Sequence, residues 1–345
     1  MTLLTLNLYR YHIPLETLLP VGNQRIDSRE GLVLQASTAL GCEVVEIAPL
    51  SGVDVDGQPL MGFSQERLEQ VIDALVAAMP SLPGQPLDAL LDLAEHTTMA
   101  SLAYGLSLLH AKLSGQPPSL LAQRALPRTV PLIYRHQDEP IAEVGQQVAQ
   151  LDRQVHAVKV KVGQTSMMEE IQLIHQILAI RPDLKLRLDA NRSFKLQDAI
   201  DFLACLPLAA IEYIEEPCRD PNHNPLLFNA LGIPYALDES LNDPRYQFTM
   251  QAGLSALVIK PMLLGTLSRL QTIIDTAHQH GVRVIISSSL EASLGINALR
   301  CISQACTPDE VPGLDTLRAF SCDLLEPSDK ARCLNLDDLT LLYSV

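Results

Sequence analysis

Six polar residues, Lys161, Asp189, Glu215, Asp238, Lys260 and Ser287, stand 28, 26, 23, 22 and 27 positions apart, and each closes a short apolar run. The runs are "AVKVKVG", "LKLRLDAN", "AIEYIEEP", "PYALDES", "ALVIKP" and "VRVIISSS", with "VPLIYRH" before them and a weaker "VPGLDT" after. Helical periodicity fills most of the gaps, as in "MMEEIQLIHQILAI", "KLQDAIDFLACL", "LSRLQTIIDTAHQHG" and "LGINALRCISQAC". A step of this length holds one strand and one helix. About eight such strands with helices between them predict an α/β fold closed as a barrel. A doubly wound sheet is the alternative, but no G-x-G-x-x-G and no P-loop opens one.

Upstream the rhythm differs. "LLTLNLYRYHI", "GLVLQAST" and "CEVVEIAPL" predict a small strand meander. "FSQERLEQVIDALVAAM" predicts a helix with Ser64 as N-cap and Glu66 in its first turn. "LDALLDLAEH" and "TMASLAYGLSLLHAKLSG" follow as helices, the last stopped by Gly115. Segregated strands and helices predict an α+β domain over residues 1–115. The Pro-rich stretch 115–131 marks the boundary, and the barrel is expected over 128–320. Residues 321–345 are expected to return to the first domain.

Within "AVKVKVG", side chains two apart share a face, so Lys159 and Lys161 point one way and Val158, Val160 and Val162 the other. A barrel strand packs one face on the helix ring and lines the interior with the other. The valines suit the helices, so the lysines face inward near the mouth, where unpaired ammonium groups are costly. The next three strands supply acids: Asp189, Glu215 with Glu216, and Asp238. Oxygen ligands from three successive strands suit a hard cation, so Asp189, Glu215 and Asp238 read as a Mg²⁺ site, with Mn²⁺ as a substitute. Glu215 and Glu216 alternate faces, and periodicity does not choose between them. Plain ion pairing with the lysines is the simpler reading of the same acids. His278 and His280 precede Gly281 at a helix C-terminus, where the helix dipole favours them.

A carboxylate substrate on such a cation would lose its α-proton to give an enediolate, whose charge gathers where the cation sits. Lys161 would take the proton, and Lys159 beside it would lower the pKa of that base. Lys260 would serve as a second acid/base or a fixed cation.

The net charge of −15 argues against nucleic acid or an anionic membrane as partner. Seven scattered cysteines without C-x-x-C spacing read as reduced thiols, and with no basic leader and no long apolar run the expected location is the cytoplasm.

"KVKVG", "RLDANRSF", "EYIEEPC", "ALDESL" and "VIKP" resemble the enolase superfamily, and the K-x-K with a later lysine resembles its muconate-lactonising subgroup. With "VIKPMLLGTL", "ISSSLEASLG", "PGLDT", "YRYHIPL", "REGL" and "GFSQE", the set resembles the o-succinylbenzoate synthase family of menaquinone biosynthesis, proteobacterial type. That resemblance implies a (β/α)7β TIM-type barrel with an N-terminal α+β capping domain. It implies a lyase with Lys161 as base, Lys260 as the opposed cation, and Asp189, Glu215 and Asp238 on Mg²⁺. Arg187, Asn191, Ser287, Ser289 and the backbone at Gly313 would contact substrate or support the metal ligands. The implied reaction dehydrates 2-succinyl-6-hydroxy-2,4-cyclohexadiene-1-carboxylate to 2-succinylbenzoate. Loops near "LLPVGNQRI" and "MGFSQ" would close over the site and read the succinyl end. Relatives with the same lysines racemise N-succinylamino acids, epimerise dipeptides or cycloisomerise muconates. A non-catalytic binding protein is the alternative outside enzymes. The expected partner is a small carboxylate, with the chain a monomer or small homo-oligomer.

Overall fold

The computed structural model describes residues 1–115, 129–135 and 140–345, so most of the expected boundary stretch 115–131 lies outside the described residues. The chain divides into two compact units: 1–127 with 259–275 and 286–345, and 128–258 with 276–285.

The first unit is built on an antiparallel sheet. Strands β1 (Leu3–Val21), β2 (Gln24–Thr38) and β3 (Gly41–Ile47) follow in sequence. The stretch "LLPVGNQRI", expected as a loop, is instead the tip of the β1–β2 hairpin, with Val21 paired to Gln24. Gly22 has φ +57°, the conformation that the first central residue of a two-residue hairpin turn needs. Tyr11 faces Gly31 across the pair, and a Cβ on Gly31 would stand 2.6 Å from the Tyr11 hydroxyl. Helices α1 (Leu68–Ala78), α2 (Ala89–His96) and α3 (Ala100–Ser114) follow.

Helix α1 starts at Leu68 rather than after Ser64, and Arg67 is its N-cap. The Ser64 hydroxyl is taken up by the Leu50 N–H at 2.8 Å. Glu66 is buried and accepts from the Ser101 N–H and hydroxyl, so it caps α3 rather than starting α1.

The second unit carries the parallel strands. Elements alternate as β4 (Leu132–Ile133), α4 (Ile141–Ala149), β5 (Ala157–Lys161), α5 (Met167–Ile180), β6 (Lys185–Asp189), α6 (Leu196–Ala204), β7 (Ile211–Glu215), α7 (Asn224–Leu231), β8 (Tyr235–Leu237) and β9 (Leu254–Ile259). After β9 come α8 (Pro261–Leu264), α9 (Leu267–Gln279), β10 (Arg283–Ile286) and α10 (Ser293–Cys306). Strands β4 to β10 form one seven-stranded sheet in strict sequence order. The α/β expectation is borne out by this order, because all these parallel neighbours except β8 and β9 are joined through an α-helix. The weak strand at "VPGLDT" is reduced to a single bridge between Ser287 and Gly313.

Short strands β11 (Asp323–Leu324) and β12 (Cys333–Leu334) pair with each other, and β13 (Thr340–Ser344) pairs antiparallel with β1 at the edge of the first sheet. All seven cysteines are free thiols. No helix among the described residues is long and apolar enough to cross a membrane.

Two buried acids lie in the first unit, and one of them joins distant segments. Glu46, at the end of β3, accepts from the Tyr11 hydroxyl at 2.6 Å and from the Ala292 and Gly295 N–H groups at 2.9 and 2.8 Å. From another strand it thereby satisfies buried N–H donors that the first turn of α10 leaves without a helical partner. Glu291 is fully buried and accepts from the Ser289 N–H and hydroxyl at 2.7 and 2.6 Å. Burial pushes the Glu291 carboxyl up to about 7, the Ser289 hydroxyl pulls it down, and the nearby Glu46 charge pushes it up again.

The folded state therefore holds this proton more tightly than the unfolded chain. Its contribution is fully present below the ordinary value and is lost as pH rises to about 7. Replacing Glu291 with Gln removes the titration. Urea unfolding at pH 5 and pH 8 is expected to show wild type losing about 2.5 kcal/mol more than Glu291→Gln over that interval. Equal losses would remove Glu291 as the cause.

Candidate active site

Strand β5 presents Lys159 and Lys161 on one face, with Val158 and Val160 fully buried on the other. The register sets Lys161 beside Asp189 on β6, and Asp189 beside Glu215 on β7. All three acids, Asp238 included, are about 1% exposed, so their charges must be answered locally.

The lysines answer them. The Lys159 ammonium lies 2.8 Å from Asp189 Oδ2 and 2.8 Å from Glu215 Oε1. The Lys161 ammonium donates to Asp189 Oδ2 at 2.6 Å and to Asn191 Oδ1 at 2.7 Å. Burial disfavours the Lys159 charge, but Asp189, Glu215 and Asp238 together outweigh it and hold its pKa well above the ordinary lysine value. Lys159 is thus held as a cation among three carboxylates.

The loop after β5 is fixed from below. Glu170 in α5 is buried and accepts from the N–H groups of Gly163, Gln164 and Thr165 at 2.8, 2.6 and 2.9 Å. Gly163 has φ +74°, and a Cβ there would run into the Ser193 side chain. Ser166 and Glu169 close a capping box at the start of α5. These bonds hold the backbone that follows Lys161.

The choice between the two glutamates is made by the backbone. Glu215 points to Lys159, whereas Glu216 has φ +39° and turns to Arg192. Asn191, also at positive φ, donates to Glu239 Oε1 at 2.7 Å while accepting from Lys161. Glu239 and Arg192 are candidate site residues that strand periodicity did not single out, and Glu216 had entered only as the alternative to Glu215. Their only sequence signal is position next to the strand-end acids.

The remaining candidates separate. Arg187 is 5% exposed, pairs with Glu212 at 3.1 Å and lies over the Tyr213 ring at 5.6 Å. Glu212 also pairs with Arg283. The Ser287 hydroxyl donates to the Gly313 carbonyl at 3.1 Å, and the Ser289 hydroxyl is committed to Glu291. Lys260 directly follows β9, the strand beyond β8 in the sheet.

The donor set suits a hard cation. It offers only carboxylate oxygens, and three carboxylates meet two ammonium groups, leaving net negative charge. Among the described residues no three Asp, Glu, His or Cys side chains are yet gathered as a metal cluster. The Lys159 ammonium stands between Asp189 and Glu215 instead, the ion-paired alternative of the same residues.

Residues 3–113 match the family described as MenC, N-terminal domain, and residues 143–326 match Enolase C-terminal domain-like. The o-succinylbenzoate synthase of Yersinia enterocolitica is 33% identical over 97% of this chain and 98% of its own length. That of Pasteurella multocida is 34% identical over 98% of this chain and 96% of its own. The chain belongs to the o-succinylbenzoate synthase family.

It is therefore a lyase of the enolase superfamily. The solved o-succinylbenzoate synthase of Thermosynechococcus elongatus, which holds Mg in its active site, shares the fold, with TM-score 0.69 and 24% identity over 92% of this chain and 94% of that one. Superfamily members are thus solved with a divalent metal. Within this family's fold, the lysine-bearing β5 and the acid-bearing β6 and β7 are adjacent strands.

Proposed function

We propose that this chain dehydrates 2-succinyl-6-hydroxy-2,4-cyclohexadiene-1-carboxylate to 2-succinylbenzoate. The observation that carries the proposal is Lys161 on Asp189 and Asn191, beside three buried carboxylates, in a chain about one-third identical to named synthases over nearly its full length. Asp189, Glu215 and Asp238 would hold Mg²⁺, or Mn²⁺, and the bound cation would supply stabilisation of the negative charge on the substrate carboxylate.

The chain's own residues perform the rest. Lys161 Nζ takes the proton α to the carboxylate, and the C–H electrons move into the carboxylate to give an enediolate. Those electrons then form the ring double bond as the C–O bond to the hydroxyl breaks. The Lys161 ammonium returns its proton to the departing hydroxide, so water leaves and the ring becomes aromatic. Lys159, held as a cation between Asp189 and Glu215, adds a fixed positive charge beside the enediolate as it forms. Lys260, one strand after Asp238, is assigned the role of a further fixed cation.

Ultraviolet-monitored conversion of the cyclohexadiene with Mg²⁺ and with chelator tests the proposal. Turnover is expected with the metal and is expected to fall to background in chelator. No turnover by folded, Mg²⁺-supplied protein would sink the synthase reading, and racemisation of N-succinylamino acids would then be measured.

A further inference from the structure

Glu216 lies outside the lysine–carboxylate cluster, yet it touches the ends of all three acid-bearing strands. Its side chain is fully buried. Oε1 accepts from the Asp238 N–H at 3.2 Å and from the Ser240 N–H at 2.8 Å. Oε2 accepts from Arg192 Nε at 3.0 Å, and Arg192 Nη2 donates to the Ser240 hydroxyl at 2.7 Å. The main chain closes the same circuit. The Arg192 N–H donates to the Glu216 carbonyl at 2.7 Å, and the Glu216 N–H donates to the Ala236 carbonyl at 3.0 Å. Asp189 lies three residues before Arg192, and Glu215 immediately before Glu216.

Two members of this circuit occupy conformations that side chains rarely adopt, with Arg192 at φ +58° and Glu216 at φ +39°. Such conformations persist only where the surroundings over-determine them, and they gather at functional sites. A carboxylate buried to answer one arginine needs no left-handed backbone. The left-handed turn at Glu216 is what sends its side chain to the backbone after β8 while Glu215 reaches Lys159.

We propose that the Arg192–Glu216–Ser240 clamp is a positioning device, which fixes the spacing of Asp189, Glu215 and Asp238 and so sets affinity for a divalent cation. Glu216 is a positioning residue here, not a ligand, because its acceptor sites are already committed. The proposal rests on the metal assignment under Proposed function.

The test is Mn²⁺ binding followed by electron paramagnetic resonance of the free ion, with metal-free melting recorded for each protein. Glu216→Gln can still accept at Asp238 and Ser240 but sets an amide against the arginine. It is expected to weaken Mn²⁺ binding about 10–100-fold. Arg192→Lys keeps every charge and loses the fork that reaches both Glu216 and Ser240, so it separates position from charge. It is expected to weaken binding by at least about threefold, and turnover in both variants is expected to recover when Mn²⁺ is raised to saturation. Wild-type affinity in folded Glu216→Gln would overturn the proposal. So would weakening confined to Glu216→Gln with Arg192→Lys unchanged, since that is a charge effect alone. A wild type that binds no Mn²⁺ removes the metal assignment and this inference with it. If Glu216→Gln does not fold, Arg192→Lys decides the matter by itself.

Discussion

Lys161→Ala is expected to lower the turnover number about 10²–10⁴-fold while the protein stays folded. The rate falls because the amine that would take the proton, and as ammonium return it, is gone, and no other described donor sits on both Asp189 and Asn191. The fold survives because Asp189 keeps the Lys159 ammonium at 2.8 Å, so its buried charge stays answered. Steady-state kinetics with the cyclohexadiene, beside a circular-dichroism melt, give both readings. A folded Lys161→Ala protein within about tenfold of the wild-type turnover number would remove Lys161 as the base.

The second large effect is on stability. Glu46→Ala is expected to destabilise the protein by about 3–5 kcal/mol. The variant strands the Tyr11 hydroxyl and the Ala292 and Gly295 N–H groups in a place where Glu46 is only 2% exposed. Each such buried donor costs about 1–3 kcal/mol when left unmade, and the cavity left by the side chain admits partial relief. Glu46→Gln keeps an acceptor oxygen and is expected to lose less. Denaturant unfolding at a fixed pH reads both, and a loss below about 1 kcal/mol for Glu46→Ala would show that the helix start finds other partners.

Much of the site follows from local rules. A strand repeats every two residues, so Lys159 and Lys161 had to share a face, and the valines between them had to share the other. In a barrel, parallel strands joined by helices take sequence order, so on the barrel reading the β5, β6 and β7 ends are neighbours, as the sheet has them. Other features depend on departures from regular geometry. Alternation puts Arg187 on the face of Asp189, and it keeps that face beside Lys159 and over the Tyr213 ring, next to a register shift in the β6–β7 pairing between Leu186 and Arg187. The guanidinium goes to Glu212, and a bulge of this kind has no periodic signature. Ser64 failed as a helix cap for a similar reason. Its hydroxyl found the Leu50 N–H, a partner fourteen residues back in the chain.

The inward lysines and the acids at the following strand ends were legible in the sequence, because they rest on the period of a strand and the spacing of βα steps. Only the folded chain shows that Glu215 meets Lys159 while Glu216 turns to Arg192, because alternation leaves both choices open and the strand ends at Glu215, with the left-handed turn following at Glu216. Tertiary structure alone also decided that Glu46 serves a helix start 246 residues away, since the need of a buried donor is met by whatever folding brings near.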